Sequence, residues 1–320
     1  AKLLFWSGRK LESQNNLAAA LERYLSTLRV AGHLRRRACS PGNADAVELW
    51  VQEYLPYWAA RPGQTPDRVL AAARHADGVL AATPPRSDWI KSHYVLARAY
   101  LDGDPNATAH FIPDQRDRLF AQATIRCLFW ERTRTLRVLN LWTADAMEVC
   151  HRAESDAAAG QKVALDAECR AVGAWWRRVT RTTPLWPGEP DMAALCHSLA
   201  NLETQRRVTR SLLALEAWKL EHGDLPQSLE ALRGKYLERP PVDPFGGEPF
   251  HYYPKGVEFA FRDARGNAIG PRTPFLWGLL RRTVGATWSD GYADASAKPP
   301  ADRDTTTSTL ERVLPLGCAF

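Results

Sequence analysis

Apolar residues recur at helical spacing through the first 190 positions, and each run is bounded by residues that start or stop helices. A run over about 13–37 places Leu17, Leu21, Tyr24, Leu25 and Leu28 on one face, and another from about Asn43 carries Val47, Trp50, Val51, Tyr54 and Leu55. Thr65-Pro66-Asp67 combines a capping hydroxyl, a proline suited to the first turn and an acid at the positive dipole end, so a third helix should open there and run to about Ala82. Pro84-Pro85 ends it. Ser87 is placed to cap a fourth helix carrying Trp89, Ile90, Tyr94, Leu96 and Tyr100, which Gly103-Asp104-Pro105 terminates. From Pro113 to Ala159 one uninterrupted pattern predicts a long helix with Leu119, Ile125, Leu128, Phe129, Leu136, Leu139, Trp142 and Met147 in the core. A return helix over 162–180 would pair with it.

Pro184-Leu185-Trp186-Pro187-Gly188-Glu189-Pro190 reads as a rigid connector, with Trp175, Trp176 and Trp186 stapling the junction, and a further helix begins near Asp191. Leu212, Leu213, Leu215, Trp218 and Leu220 would bury one stripe of that helix, which ends at His222-Gly223 with Gly223 as a left-handed C-cap. Pro226 then fits the first turn of a short second helix carrying Leu229, Leu232, Tyr236 and Leu237. Pro240 and Pro241 stop it. Asp243-Pro244-Phe245-Gly246-Gly247 supplies an Asx-type acceptor, a fixed φ and two permissive glycines, the ingredients of a tight reversal. A hairpin should follow, with Phe250 and Tyr252 on the first strand, Lys255-Gly256 at the turn, and Val257, Phe259 and Phe261 on the second.

This ordered grammar, over about residues 208–261, resembles the C-terminal half of the major pseudopilin of type II secretion systems: a long helix, a Gly-x-x-Pro corner, a short helix, an Asp-Pro-aromatic-Gly turn and a small sheet. It is similar also to the tails of bacterial membrane-anchored proteins with the same His-Gly-x-x-Pro and Asp-Pro-Phe phrases. The resemblance implies an assembly role, with Gly223, Pro226, Asp243, Pro244, Gly246 and Gly247 as structural turn residues. Two departures matter. Where that pattern continues into an acidic calcium loop, this chain reads Arg262 to Gly270 with Asp263 as its single carboxylate, too few charged oxygens for a hard cation. The chain also contains no stretch of about 20 apolar residues. Ala1-Lys2-Leu3-Leu4-Phe5-Trp6 reads either as the trimmed end of an anchor or as an ordinary amphipathic opening helix.

The fold expected is therefore mainly α, a multi-helix array or bundle, with a small C-terminal α+β hairpin module of pseudopilin-like form. Residues 1–190 form the helical domain and 191–288 the long helix with its helix-turn-hairpin module. Residues 289–320, poor in large aliphatics, read as a mobile or surface-draped tail in which Leu310, Val313, Leu314 and Leu316 are the docking candidates.

Composition adds three constraints. The net charge of +6 comes mostly from dispersed arginines, and the densest clusters, Arg35-Arg36-Arg37, Arg177-Arg178 and Arg206-Arg207, adjoin apolar helical sequence and read as solvated faces. Nucleic acid as a partner is disfavoured because no binding motif accompanies the charge, whereas an anionic membrane surface is compatible with it. Cys39, Cys127, Cys150, Cys169, Cys196 and Cys318 show no paired metal or redox spacing and read mainly as buried thiols; a bridge from Cys150 to Cys169 or Cys196 stays open. Glu148-Val149-Cys150-His151 is the one phrase with ligating potential, because Glu148 and His151 share a helix face as in di-iron bundles, but no second copy accompanies it. No nucleophile elbow, phosphate-cradling loop or dinucleotide fingerprint occurs.

Three function classes follow. The first is a non-catalytic structural or assembly protein of the bacterial envelope, on the periplasmic side of a membrane, partnered by other envelope proteins or by copies of itself. The second is a helical-repeat-like protein-binding scaffold, and a cytoplasmic location is the alternative to the envelope. The third is a metal-dependent helical-bundle enzyme using Glu148 and His151. No cofactor is expected, and the balance is against an enzyme.

Overall fold

The computed structural model describes residues 1–35, 41–112, 114–127, 129–163, 175–176, 178–179, 192–256, 261–262, 268–269, 275–278 and 312–315. These form a mainly helical array: α1 (Lys2–Ser13), α2 (Leu17–Arg35), α3 (Pro41–Ala59), α4 (Pro66–Ala81), α5 (Ser87–Leu101), α6 (Pro105–Phe111), α7 (Gln115–Cys127), α8 (Phe129–Ala158) and the long α9 (Met192–His222).

Local chemistry accounts for most of the boundaries. The Thr65 hydroxyl accepts from the Arg68 amide at 3.3 Å with Pro66 in the first turn, as its sequence predicts. Asp104 both closes α5 and opens α6: its Oδ1 accepts from the amides of Asn106 and Ala107 at 2.7 and 3.2 Å, while Gly103 turns the chain at a φ of 84°. Three boundaries differ from expectation. The run expected from about Ser13 opens at Leu17 instead, because Asn15 takes a φ of 57° and separates it from the opening helix α1, which folds back on α2. Ser87 is the first helical residue of α5 and does not cap it; the amide of its predecessor Arg86 is held instead by the Glu154 carboxylate from α8. The pattern from Pro113 is divided into α7 and α8, and Leu119, expected in the core, is 64% exposed. The side chains of Leu128 and Phe129, the 162–180 return helix as a whole, and Trp186 lie outside the described residues. Trp175 and Trp176 contact one another edge to face, and Trp176 is buried with its indole N–H on Asp145.

Two cores result. Tyr24, Leu25, Leu28, Val51, Leu55, Trp58 and Val69 from α2 to α4 interdigitate with Leu213 and Ala217 of α9. Ile90, Tyr100, Leu101, Leu139 and Trp142 form the second, between α5 and α8. The sequence pattern suggested one buried stripe on α9. In fact Leu199, Leu202, Thr204, Gln205, Val208, Thr209, Ser211, Leu212, Leu213 and Leu215 are all buried, because α3 and α4, α8 and the C-terminal segment cover it from different sides. Leu220, near its free end, is 39% exposed.

Beyond α9 the short second helix is a single 3-10 turn (Leu229–Leu232), opened by Ser228. It stops there because Arg233 is extended and Gly234, at a φ of 93°, turns its amide onto the Leu237 carbonyl. Pro226 lies before this turn and not within it. Strand β1 (His251–Tyr253) pairs antiparallel with β4 (Phe275–Gly278), which in turn pairs with β5 (Arg312–Pro315); β2 (Phe261–Arg262) and β3 (Ala268–Ile269) form a separate ribbon. Of the predicted partner strand of β1, Val257 and Phe259 lie outside the described residues, and Phe261 is in β2 opposite Ile269. Val313 and Leu314 of the predicted tail sit in β5, opposite Trp277 and Leu276. Leu229, Leu232, Leu237, Phe250 and Leu276 pack against Val208, Leu212 and Leu215 of α9.

Candidate functional site

The turn residues read from the sequence occupy two corners. At the first, Gly223 takes a φ of 82° and its amide donates to the Lys219 carbonyl at 2.8 Å. The Pro226 carbonyl accepts from the Tyr252 hydroxyl at 2.9 Å, and His222 stacks on Trp218 at 4.0 Å between ring centres. Glu221 closes the corner by accepting from Lys235 and from the Tyr236 hydroxyl. At the second corner Asp243 is buried, and its Oδ1 accepts from the Phe245 amide at 2.8 Å. The Asp243 carbonyl accepts from Gly247, whose φ is 82°, and the Pro244 carbonyl accepts from the Val163 amide at 2.9 Å. Gly246, by contrast, needs no left-handed backbone. The turn thereby inserts Phe245 among Ala153, Val163, Leu199 and Ala200, which docks the segment on α8 and α9.

Glu148 and His151 both lie on the exposed side of α8. Glu148 forms an ion pair with Arg152 at 3.0 Å, one helical turn away. Among the described residues no group of three or more His, Cys, Asp or Glu side chains gathers as a metal would require. Cys150, between them in sequence, points inward, and burial, assisted by Glu154, pushes its thiol up to about 12. Cys150 and Cys196 are buried free thiols and Cys127 is an exposed one.

The strongest electrostatic feature was not singled out from the sequence. Asp45 and Glu48 of α3 sit between Arg35 at the end of α2, Arg86 at the start of α5, and Arg206 on α9. Arg35 Nη2 reaches Asp45 at 3.2 Å and Glu48 at 2.5 Å; Arg86 reaches Asp45 at 2.5 Å; and Arg206 grips Glu48 with Nε and Nη2 at 2.6 and 3.1 Å. Ser198 donates to Asp45 at 2.8 Å and accepts from Arg86 at 3.3 Å. Burial alone would push the Glu48 carboxyl up, but the guanidinium groups of Arg206 and Arg35 outweigh it and hold it at about 2. One residue on, Arg207 pairs with Glu203 and donates to the carbonyls of Ala157, Gln161 and Val242, joining the end of α8 to the second corner. Arg35 and Arg207 are 5% and 7% exposed, so the expectation that these arginine clusters are solvated faces is corrected for both; Arg36 and Arg37 lie outside the described residues. The space adjoining Arg35, Asp45 and Arg86 is about 10 Å³, enough for one water and for no substrate. Chemically, this node clamps four helices together.

A second buried acid, Glu12 of α1, accepts from the Tyr24 hydroxyl at 2.7 Å and pairs with Arg61. The clamp fixes α1 with its apolar side inward. Its opposite side presents Leu3 and Trp6, 87% and 61% exposed, in line with Lys10 and beside Lys2. A groove of about 520 Å³ lies elsewhere, between α2 and α4. No helix among the described residues is long and apolar enough to cross a membrane. No known protein family matches the chain, and neither a curated protein nor a solved structure is significantly similar to it.

Proposed function

We propose that the protein is a non-catalytic assembly protein of the bacterial envelope, whose helical body rests on an anionic membrane surface and whose C-terminal segment is a pseudopilin-like α+β module used in assembly. The observation that carries this reading is the outer side of α1. Leu3, Trp6 and Lys10 stand at i, i+3 and i+7, with Lys2 alongside, while Glu12 and Tyr24 anchor the other side. Indole and aliphatic groups flanked by lysines suit the boundary between headgroups and acyl chains, where the amines meet acidic lipid. The inward use of the strongest buried charges supports the non-catalytic half, since Asp45 is paired with Arg35 and Arg86 and Glu48 with Arg35 and Arg206. The two corners at Gly223 and Asp243 support the likeness of the tail to the pseudopilin pattern.

Sedimentation with vesicles tests the reading. The protein should pellet with mixed phosphatidylcholine and phosphatidylglycerol vesicles, less so as salt is raised, and stay in solution with phosphatidylcholine alone. The Leu3→Asp/Trp6→Asp variant should stay in solution with both. Pelleting that is indifferent to lipid charge, or to these two substitutions, would overturn it.

A further inference from the structure

We infer that the groove between α2 and α4 is a docking site for a short acidic segment of a partner protein, a conclusion that rests on the assembly reading above and names the chemistry of one partner. The walls come from one line of each helix. Arg29 and His33 of α2 face Arg74 and His75 of α4 across a floor that includes Leu25 and Val79. Among the described residues Arg29, His33 and His75 have no hydrogen-bond or ion-pair partner, and Arg74 donates only to the Leu70 carbonyl of its own helix, at 3.4 Å. This contrasts with Arg35, Arg86, Arg206 and Arg207, which are all neutralised inside the fold. Glu22 is the one carboxylate in the lining, so the groove carries an excess of positive charge, and its guanidinium groups have no ion-pair partner among the described residues.

Shape narrows the occupant. At Gly32 of α2 a Cβ would stand 3.4 Å from the hydroxyl of Thr83, just past the end of α4, whereas at Gly78 of α4 a Cβ would have nothing within 4 Å. A volume of about 520 Å³ holds a few side chains and no folded domain. Two guanidinium groups on opposite walls match carboxylates at both edges of a segment, and the half-buried Val79 between them matches one aliphatic anchor. A lipid headgroup would satisfy the charge but leave that apolar floor without a partner.

The test uses the full chain and a short fluorescein-labelled peptide with a central Leu flanked by Glu residues, read by fluorescence anisotropy. The Glu peptide should bind, and its counterpart with every Glu replaced by Gln should bind at least about 10-fold more weakly. Arg29→Glu/Arg74→Glu should weaken binding by about 10-fold or more. Gly78→Leu, whose Cβ would meet nothing within 4 Å and whose side chain adds bulk to the groove lining, should do the same while leaving thermal stability unchanged or raised. Equal binding of the two peptides, no loss in either variant, or displacement of the peptide by phosphatidylglycerol vesicles would overturn the assignment. Failure here is separable from failure of the membrane reading: Leu3→Asp/Trp6→Asp should keep peptide affinity, and the groove variants should keep vesicle binding.

Discussion

Replacing Glu48 by Gln should be among the most damaging conservative changes in the protein. The side chain is 1% exposed and receives three guanidinium hydrogen bonds, from Arg35 Nη2 and from Nε and Nη2 of Arg206. Gln preserves the shape but offers one acceptor oxygen and turns an amide donor toward cations. Asp45 is then left to balance Arg35 and Arg86, while Arg206 keeps its longer ion pair with Glu203, at 3.8 Å. Removing one partner of a buried ion pair typically costs about 3–5 kcal/mol, most of it from the stranded charge. The protonation equilibrium gives a second route to the size: moving the carboxyl from its ordinary 4.5 to about 2 on folding corresponds to roughly 3 kcal/mol. The two agree.

The sign with pH follows. The folded value lies below the unfolded one, so this contribution is complete above pH 4.5 and is lost as pH falls toward 2. Urea unfolding followed by far-ultraviolet circular dichroism should show Glu48→Gln less stable by about 3–5 kcal/mol at pH 7, as a lower midpoint at unchanged slope. Between pH 4.5 and pH 2 the gap between wild type and variant should narrow. Adding Arg206→Gln should cost much less in the Glu48→Gln background than in wild type. A deficit below about 1 kcal/mol at pH 7, or a gap that does not change down to pH 2, would refute the claim that this carboxylate clamps the array.

Two further substitutions probe backbone placement. Gly8→Ala, ordinarily a gain of up to about 1 kcal/mol inside a helix, should instead destabilise by about 1–3 kcal/mol: its Cβ would fall 2.6 Å from Cε1 of Tyr24, a ring fixed by full burial and by its bond to Glu12. Gly78→Ala, with open space around the new methyl, serves as the control and should stabilise; thermal melts of the pair decide, and a Gly8→Ala melt at or above wild type would contradict the packing. Asp243→Ala removes the acceptor for the Phe245 amide and should cost about 1 kcal/mol. It should also loosen the segment docked on α9, giving faster tryptic cleavage after Arg233 or Arg239; cleavage at the wild-type rate would contradict the turn's role.

How far the sequence could be read depended on the range of the interactions involved. Capping at Thr65, the Gly103-Asp104-Pro105 stop, the left-handed Gly223 and the Asp243 turn are settled within a few residues, and the chain writes such signals openly. The periodic pattern likewise identified the buried side of α2 and α3, and the mainly helical fold with them. It failed where an element's surroundings set its burial: α9 shows no single stripe because neighbours cover it from several sides, and Leu119 follows the helical period yet faces solvent on α7.

The buried charges were illegible for a sharper reason. An arginine in a helix beside apolar residues looks the same whether its guanidinium reaches water or a partner, since its aliphatic stem lies along the helix surface in either case. Only the partner distinguishes them, and here the partners are remote: Arg206 and Glu48 are separated by 158 positions, and Ser198 and Asp45 by 153. The same ambiguity works in the groove's favour once coordinates are in hand. Arg29 and Arg74 are indistinguishable in sequence from Arg35 and Arg206, yet the fold neutralises the second pair and leaves the first without an ion-pair partner among the described residues. Buried guanidinium groups without acids would have been too costly to keep, so charge left unmatched is confined to positions that water can reach. Where two such groups face each other over an apolar floor, their mutual repulsion falls when a carboxylate arrives, and a ligand that also covers the half-buried Val79 adds apolar burial to that relief.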